Sequence, residues 1–340
     1  MTVGLGRSQR AGIRQVADRA GVSVSSVSRV LTSHPDVSAR MRKRVLEAVE
    51  QLGYEPDWLA QSMRRGATLT VGFVVGDISN PLFAQIALGA EVSLQREGYS
   101  MLLANSQNQP VLDARHIRLF QQRRVDGLLL SLASENHTET LEALAGLETP
   151  IVLIDRDLPP AVAASAVLSD HQSGMRAAAA SLIELGHRRI GMITGSIDLR
   201  PSREREAALR AVCAEHPEVG AVVRPGSFTA AHGAAATAEL LDGADPPTAL
   251  VAGGNQILIG VLRELRARGL SVPSDISLVS CDEVPLSELY DPPIATIVRD
   301  PFRIGQRAAE LLLGRLRGDQ PHHAVLPSMF APGRSCGPPR

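Results

Sequence analysis

Residues 70–76 read TVGFVVG, an aliphatic run followed by a polar loop and then by a helical pattern over 83–97. A short run that is apolar at successive positions has no polar face to give to water, so it reads as a strand buried on both sides. The same alternation continues outward from it. Further runs lie at 99–104 (YSMLLA), 125–131 (VDGLLLS), 151–155 (IVLID), 190–195 (IGMITG), 249–253 (ALVAG) and 276–281 (ISLVSC), with helical patterns such as 175–185 and 257–268 between them. Aliphatic strands separated by helices predict an α/β body of parallel sheets covered by helices on both faces. There are more strands than one typical sheet holds. Two doubly wound lobes follow, about 67–165 and 166–298, with a last helix at 301–317 and a run at 324–330 returning to the first lobe, so that 299–330 is counted with it. Ligands of such sheets sit beyond the carboxyl ends of the strands, which makes a cleft between the lobes the expected site.

Residues 1–55 have a different rhythm. Ile13, Val16, Ala17 and Ala20 repeat at helical spacing, Gly21 ends that helix, and Ser23 can accept the free amides of a second helix carrying Val27, Val30 and Leu31. Ser38 can cap a third, whose Val45, Val49 and Leu52 precede Gly53. Two short helices joined by a tight turn, with a supporting helix, form a helix-turn-helix. Its second helix turns Val24, Ser25, Ser28 and Arg29 outward. A plain three-helix bundle with a basic surface fits the same spacing. Charge bears on the choice: residues 1–66 hold ten arginines and the single lysine, Lys43, against six acids, a net +5, whereas the rest of the chain carries −6. A basic head on an acidic body suits a polyanion, although a solvated basic face would look alike.

Composition narrows the function classes. With 340 residues, 44% of them apolar and 21% charged, the chain has core enough for two or three domains and is neither disordered nor fibrous. Ten aromatic residues are too few for single-strand stacking platforms. Cys213, Cys281 and Cys336 are odd in number and far apart, which predicts reduced thiols and no metal cluster. No apolar run is long enough to span a bilayer and the first ten residues lack a signal-peptide core, so a soluble, cytoplasmic protein is expected. Phosphate-loop, zinc-protease, nucleophile-elbow and dinucleotide motifs are all absent, and no cofactor is expected. His187 before a strand reads as a structural hydrogen-bonding residue, and His322 and His323 as part of a solvated segment. These observations argue against turnover.

Ile13 to Leu31 (IRQVADRAGVSVSSVSRVL), then Val37-Ser38 and VLEAVEQLGYEPDWLAQSMR, closely resemble the DNA-binding head and hinge of the lactose/galactose repressor family. The likeness continues in order through VGFVVGDISNPLFAQI at 71–86, RRVDGLLL at 123–130, LGHRRIGMITG at 185–195 and VPSDISLVSCDE at 272–283. It implies a sequence-specific transcription regulator of the repressor kind, with a body like type I periplasmic sugar-binding proteins. The implied partners are pseudo-palindromic operator DNA, a small-molecule effector of the sugar class and a second copy of the chain; no membrane is implied. By the same resemblance Val24, Ser25 and Arg29 would enter the major groove, while Ser23, Ser26, Ser28 and Ser38 would sit near base edges or phosphates; an arginine can hold guanine bidentately. Gly12 replaces the usual Ser or Thr cap of the first helix. The hinge, 56–66, would pair with its mate through Leu59 and Ala60, with Met63 as the apolar wedge in the minor groove; a solvated linker helix is the alternative.

In the cleft the resemblance and the strand ends single out Arg205 and Asp282, which suit paired sugar hydroxyls, together with Asn80, Phe83, Asp155, Arg156 and the ring of Phe228. Arg299 stands where ribose-binding relatives usually carry Gln, and Gly254-Asn255 replaces their Asn before Asp. Each cleft charge could instead be an ion pair between lobes. Two other functions remain compatible: a ligand-binding module with a vestigial head, and a sugar-acting enzyme on the two-lobed scaffold. The Gly- and Pro-rich end, MFAPGRSCGPPR, cannot form the heptad helix of tetrameric relatives.

Overall fold

The structure is a computed structural model that describes residues 11–31, 34, 36–54 and 67–340. The chain divides into two units, Met1–Thr68 and Leu69–Arg340. In the first, α1 (Ile13–Ala20), α2 (Val24–Leu31) and α3 (Ala39–Leu52) enclose Val16, Ala17, Ala20, Val27, Val30, Val45 and Ala48. Gly21 and Gly53 end α1 and α3 with φ of 60° and 55°, a left-handed turn that glycine adopts without steric cost.

The second unit contains two six-stranded sheets. The first is built from β1 (Thr70–Val75), β2 (Ser100–Asn105), β3 (Gly127–Leu130), β4 (Ile151–Ile154) and β5 (Ser165–Ser169), with the late strand β11 (His323–Leu326) on the far edge, all parallel. The second holds β6 (Arg189–Thr194), β7 (Gly220–Pro225), β8 (Ala249–Ala252), β9 (Ser277–Cys281), β10 (Ala295–Val298) and, antiparallel at its edge, β12 (Met329–Ala331). Their strand orders match: β11-β5-β4-β3-β1-β2 and β12-β10-β9-β8-β6-β7. Strand β1 explains why its sequence is apolar throughout. Val71, Phe73 and Val75 enter the core on one face of the sheet and Val74 the core on the other.

Helices α4 (Pro81–Arg96), α5 (Pro110–Gln122) and α6 (Thr138–Leu144) connect the first sheet, and α7 (His171–Glu184), α8 (Arg200–Glu215), α9 (Ala230–Leu241), α10 (Asn255–Ala267) and α11 (Pro285–Leu289) the second. Helix α12 (Pro301–Leu316) returns to pack on α4 in the first lobe, as its sequence position suggested.

The lobes part later than the sequence suggested. Residues 166–169 do not open the second lobe, because β5 bonds to β4 and β11 in the first sheet. The crossing comes at Asp170, whose carboxylate accepts the amide of Ser173 and starts α7. The run at 324–330 likewise breaks in two, β11 finishing the first sheet and β12 the second, so residues 329–330 belong with lobe 2. Strands β5, β7 and β10 had no aliphatic run to announce them. Ser165 and Ser169 bound β5 and Thr296 interrupts β10, while β7 lies on an edge with its residues part-exposed or exposed, where continuous apolarity is not required.

Helices α4 and α12 meet backbone to backbone at two glycines. A Cβ at Gly305 would run into the carbonyl of Ile86, and one at Gly89 into the carbonyl of Phe302. Backbone cannot rotate aside, so Gly305→Ala should cost about 3 kcal/mol, at the upper end of overpacking. A melt of the variant should show the midpoint lowered by roughly 6–12 °C; an unchanged midpoint would mean that the helices can separate freely.

Candidate functional site

In the head, Gly12 offers no side chain to α1, but Gln15 reaches back and its Oε1 accepts the Gly12 amide at 2.8 Å. Ser23 accepts the Ser26 amide at 3.1 Å, capping α2, and its hydroxyl also bonds those of Ser25 (2.8 Å) and Ser26 (2.9 Å). Ser38 accepts the Met41 amide at the start of α3. Because Val27 and Val30 face the core, the opposite side of α2 carries Val24, Ser25 and Arg29, all exposed, with Ser28 part-buried. Arg44, which spacing did not single out, donates to the carbonyls of Ala20 and Gly21 and ties α3 to the turn. Basic donors suit the unsatisfied carbonyls of a helix C-terminus. Arg19 adds a tie to Gln51 at 3.0 and 2.8 Å. Leu59, Ala60 and Met63 lie outside the described residues.

In the body, one pocket at the carboxyl ends of the two sheets is lined by Asn80, Phe83, Asp155, Arg156, Arg205, Phe228, Asp282 and Arg299 together. The matching strand orders account for the convergence. Asp155 directly follows β4 and Asp282 directly follows β9, the third strand of each sheet. Both amides make the last bond to the neighbouring strand, Asp155 to the Val167 carbonyl at 2.9 Å and Asp282 to that of Ile297 at 3.0 Å. Both then turn left-handed, with φ of 51° and 71°, a region that aspartate tolerates better than most residues.

Arg299, just after β10, spans the two carboxylates. Its Nε donates to Asp282 Oδ1 at 2.6 Å, and its Nη1 donates to Asp155 Oδ2 and, at 2.9 Å, to Ser169 Oγ. Asp155 also accepts the amide of Ser169 at 2.6 Å and its hydroxyl at 3.1 Å. Burial alone would raise both carboxyls. For Asp155 the His171 imidazole and the Arg299 guanidinium outweigh it, and for Asp282 Arg299 and then Arg205 do, so both are held below the ordinary carboxylate range. Burial opposes the charge on Arg299 too, but Asp282 and Asp155 raise its pKa. At Arg299 the ion-pair alternative is therefore the geometry present.

Arg205 is set more loosely. Its Nη1 donates to the Gly253 carbonyl at 2.7 Å, its Nη2 lies 3.7 Å from Asp282 Oδ2, and its buried Nε has no hydrogen-bond partner among the described residues. Arg156 is buried as well, donating to the carbonyls of Leu132 (2.5 Å) and Asp155 (2.9 Å). Asn80 caps α4 by accepting the Leu82 amide and receives Asn255 Nδ2 from the other lobe at 2.7 Å. The Gly254-Asn255 departure thus builds an interlobe bond. Spacing did not reveal Glu135, whose buried carboxylate takes the Arg200 amide (2.8 Å) and Arg203 Nη2 (2.7 Å) across the lobes, nor His171. Outside the cleft, His187 holds Thr248 Oγ1, Ser277 Oγ and the Gly337 carbonyl, the structural role its position suggested.

His171 opens α7 fully enclosed, its Nε2 3.4 Å from Asp155 Oδ1 but out of hydrogen-bond alignment. Burial lowers its pKa, Asp155 opposes, Arg205 and Arg299 lower it further, and the value falls to about 4. Below about pH 6.5 the unfolded chain takes up a proton that the folded one refuses. Stability from this residue is therefore present above pH 6.5 and lost as pH falls toward 4, on the order of 3 kcal/mol in all. His171→Gln should flatten the stability–pH curve across that window; His187, also lowered by burial, would leave a smaller slope of the same sign. An unaltered slope in denaturant titrations would show that His171 takes up its proton in the folded protein.

Comparisons with known proteins agree with these two units. Residues 12–57 match the family model "Bacterial regulatory proteins, lacI family", and residues 179–336 match "Periplasmic binding protein-like domain". The chain is 33% identical over 324 residues to the HTH-type transcriptional repressor PurR of Actinobacillus pleuropneumoniae serotype 3 (strain JL03), covering 95% of this chain and 96% of that protein. It is 32% identical over 307 residues to the ribose operon repressor of Bacillus subtilis (strain 168), covering 90% and 92%. Among solved structures, a putative ribose operon repressor from Burkholderia thailandensis superposes with a TM-score of 0.70 at 34% identity, covering 77% of this chain and 98% of that one. Identity at this level along nearly the whole length, with a helix-turn-helix head and a two-lobed body, makes the chain a member of the lacI family of DNA-binding transcription regulators.

Proposed function

We propose that this regulator works in the cytoplasm as a homodimeric repressor whose affinity for a pseudo-palindromic operator is set by a sugar held in the cleft. The observation that carries the reading is the convergence of two aromatic rings, Phe83 and Phe228, with buried guanidinium and carboxylate groups in one pocket between the lobes. Rings cover the apolar face of a sugar, and charged forks hold its hydroxyls. Two of the relatives named above are ribose operon repressors, one by name and one putatively, which supports a sugar. The chain contains no helix, among the described residues, long and apolar enough to cross a membrane.

On DNA, the exposed Val24, Ser25 and Arg29 would read the major groove, with Ser23, Ser26, Ser28 and Ser38 nearest the phosphates and base edges. Leu59 and Ala60 of the hinge would meet the partner hinge, and Met63 would enter the minor groove. Effector binding would alter how a dimer presents its hinges, and by linkage DNA must alter effector affinity by the same factor.

Two outcomes are expected. Arg29→Ala should weaken operator binding by about 1–3 kcal/mol and relax preference at one base pair in each half-site; binding-site selection that returns the original consensus would remove Arg29 from base reading. Phe228→Ala and Arg205→Ala should weaken the effector response at least about tenfold while operator binding without effector is kept, since head and cleft are separate units. Fluorescence anisotropy on labelled operator, titrated with sugars that shift the melting midpoint of the full chain, reads both. A response at unchanged concentration would sink the cleft as the effector site.

A further inference from the structure

The cleft holds one more buried cation than it holds buried anions. Asp155 and Asp282 supply two negative charges, and Arg299 is bonded to both of them. Arg205 has only the second contact to Asp282, at 3.7 Å. Arg156, 7% exposed, forms no ion pair among the described residues and donates to backbone carbonyls alone. His171 does not change the balance, since it stays neutral near pH 7. At the rim Glu135 and Asp157 are matched by Arg200 and Arg203. Asp77 lines the mouth part-exposed, and its Oδ1 takes the amide and hydroxyl of Ser79. Asp113 lies outside the cleft lining and beyond ion-pairing distance of Arg156; burial raises its pKa, and it accepts the Ala133 amide at 2.7 Å.

Burial works against the charge on Arg156, and the carboxylates of Glu135, Asp155 and Asp113 favour it only from beyond ion-pairing distance; a buried guanidinium without a direct pair is costly in low dielectric, and a bound anion lowers that cost. Arg156 follows β4 in the first lobe and Arg205 lies on α8 in the second, so one anionic group between them would be gripped from both sides. A neutral sugar would leave the surplus in place. The two buried carboxylates are already bonded to Arg299, so the buried charged groups the cleft still offers to a ligand are the donors of Arg156 and Arg205.

We propose that the effector is a sugar bearing a negatively charged group, a phosphate or a carboxylate, seated between Arg156 and Arg205. This rests on the reading of the cleft as a sugar site. The full chain is melted, and its operator complex followed by anisotropy, in matched sets: D-ribose, D-ribose 5-phosphate and D-ribonate, then D-glucose, D-glucose 6-phosphate and D-gluconate, with inorganic phosphate as the anion alone. In at least one set an anionic member should act at a concentration at least about tenfold below its neutral parent, and which arm does so distinguishes phosphate from carboxylate. Its binding should weaken with added salt, where that of a neutral sugar would not. Arg156→Gln should bring the anionic-to-neutral ratio toward one. A neutral sugar that binds as tightly as its anionic partners, or a ratio unmoved in Arg156→Gln, overturns the proposal and leaves the sugar reading standing; no response in any set overturns both.

Discussion

The body is organised around one buried guanidinium. Arg299 joins the carboxylate that ends β4 in the first sheet to the one that ends β9 in the second. Each of the three charges would be expensive alone in this enclosure, and removing one would strand the others. A planar fork with donors on two sides can satisfy two carboxylates at once, which a lysine could not do with the same geometry. The bridge lies where the chain crosses between lobes, just after β10, so the ionic link and the covalent crossing coincide. The interlobe bonds from Asn255 to Asn80 and from Arg203 to Glu135 are then within reach.

The two aspartates are aimed by the same device used twice. In each sheet the third strand ends with an amide bonded to its neighbour, and the next turn is left-handed, which sends the carboxylate toward the other lobe. The conformation is sparsely populated, and the surrounding hydrogen bonds hold it there. This has a consequence for ligands. One that needs the carboxylates must displace Arg299, whereas one that uses Arg156 and Arg205 meets donors that the protein has left with weak or no ionic partners.

Helix α2 divides its residues by the same economy. Its inward valines fill the small core of the head, and its outward side is left with Val24, Ser25 and Arg29, groups that a duplex edge can meet. Arg44 stabilises the turn before it from α3. The exposed side of α2 is therefore held by contacts that do not themselves lie on it.

Much was readable from sequence because burial leaves a one-dimensional trace. A strand covered on both faces reads as a continuous apolar run, as 71–75 and 151–154 do, and a helix covered on one face must repeat as 13–20 does. Asp155 and Asp282 could be placed at the cleft because each directly follows such a run. Strand β5 has only three apolar residues between Ser165 and Ser169 and left no run, and so the lobe boundary was drawn too early; Thr296 likewise interrupts β10. The identity of the partners left no trace at all. Arg299 is 144 residues from Asp155 and 17 from Asp282, and the same sequence was open to a ligand contact or an ion pair. His171 opens a helix with nothing beside it in sequence to mark the carboxylate it faces. The sequence by itself determined most of the elements, the two units and the charged residues that follow the apolar strands, since these follow from local hydrophobic periodicity and capping. Only the tertiary structure decided which charges neutralise one another and which cation is left over, because that depends on distances across two sheets that no spacing along the chain encodes.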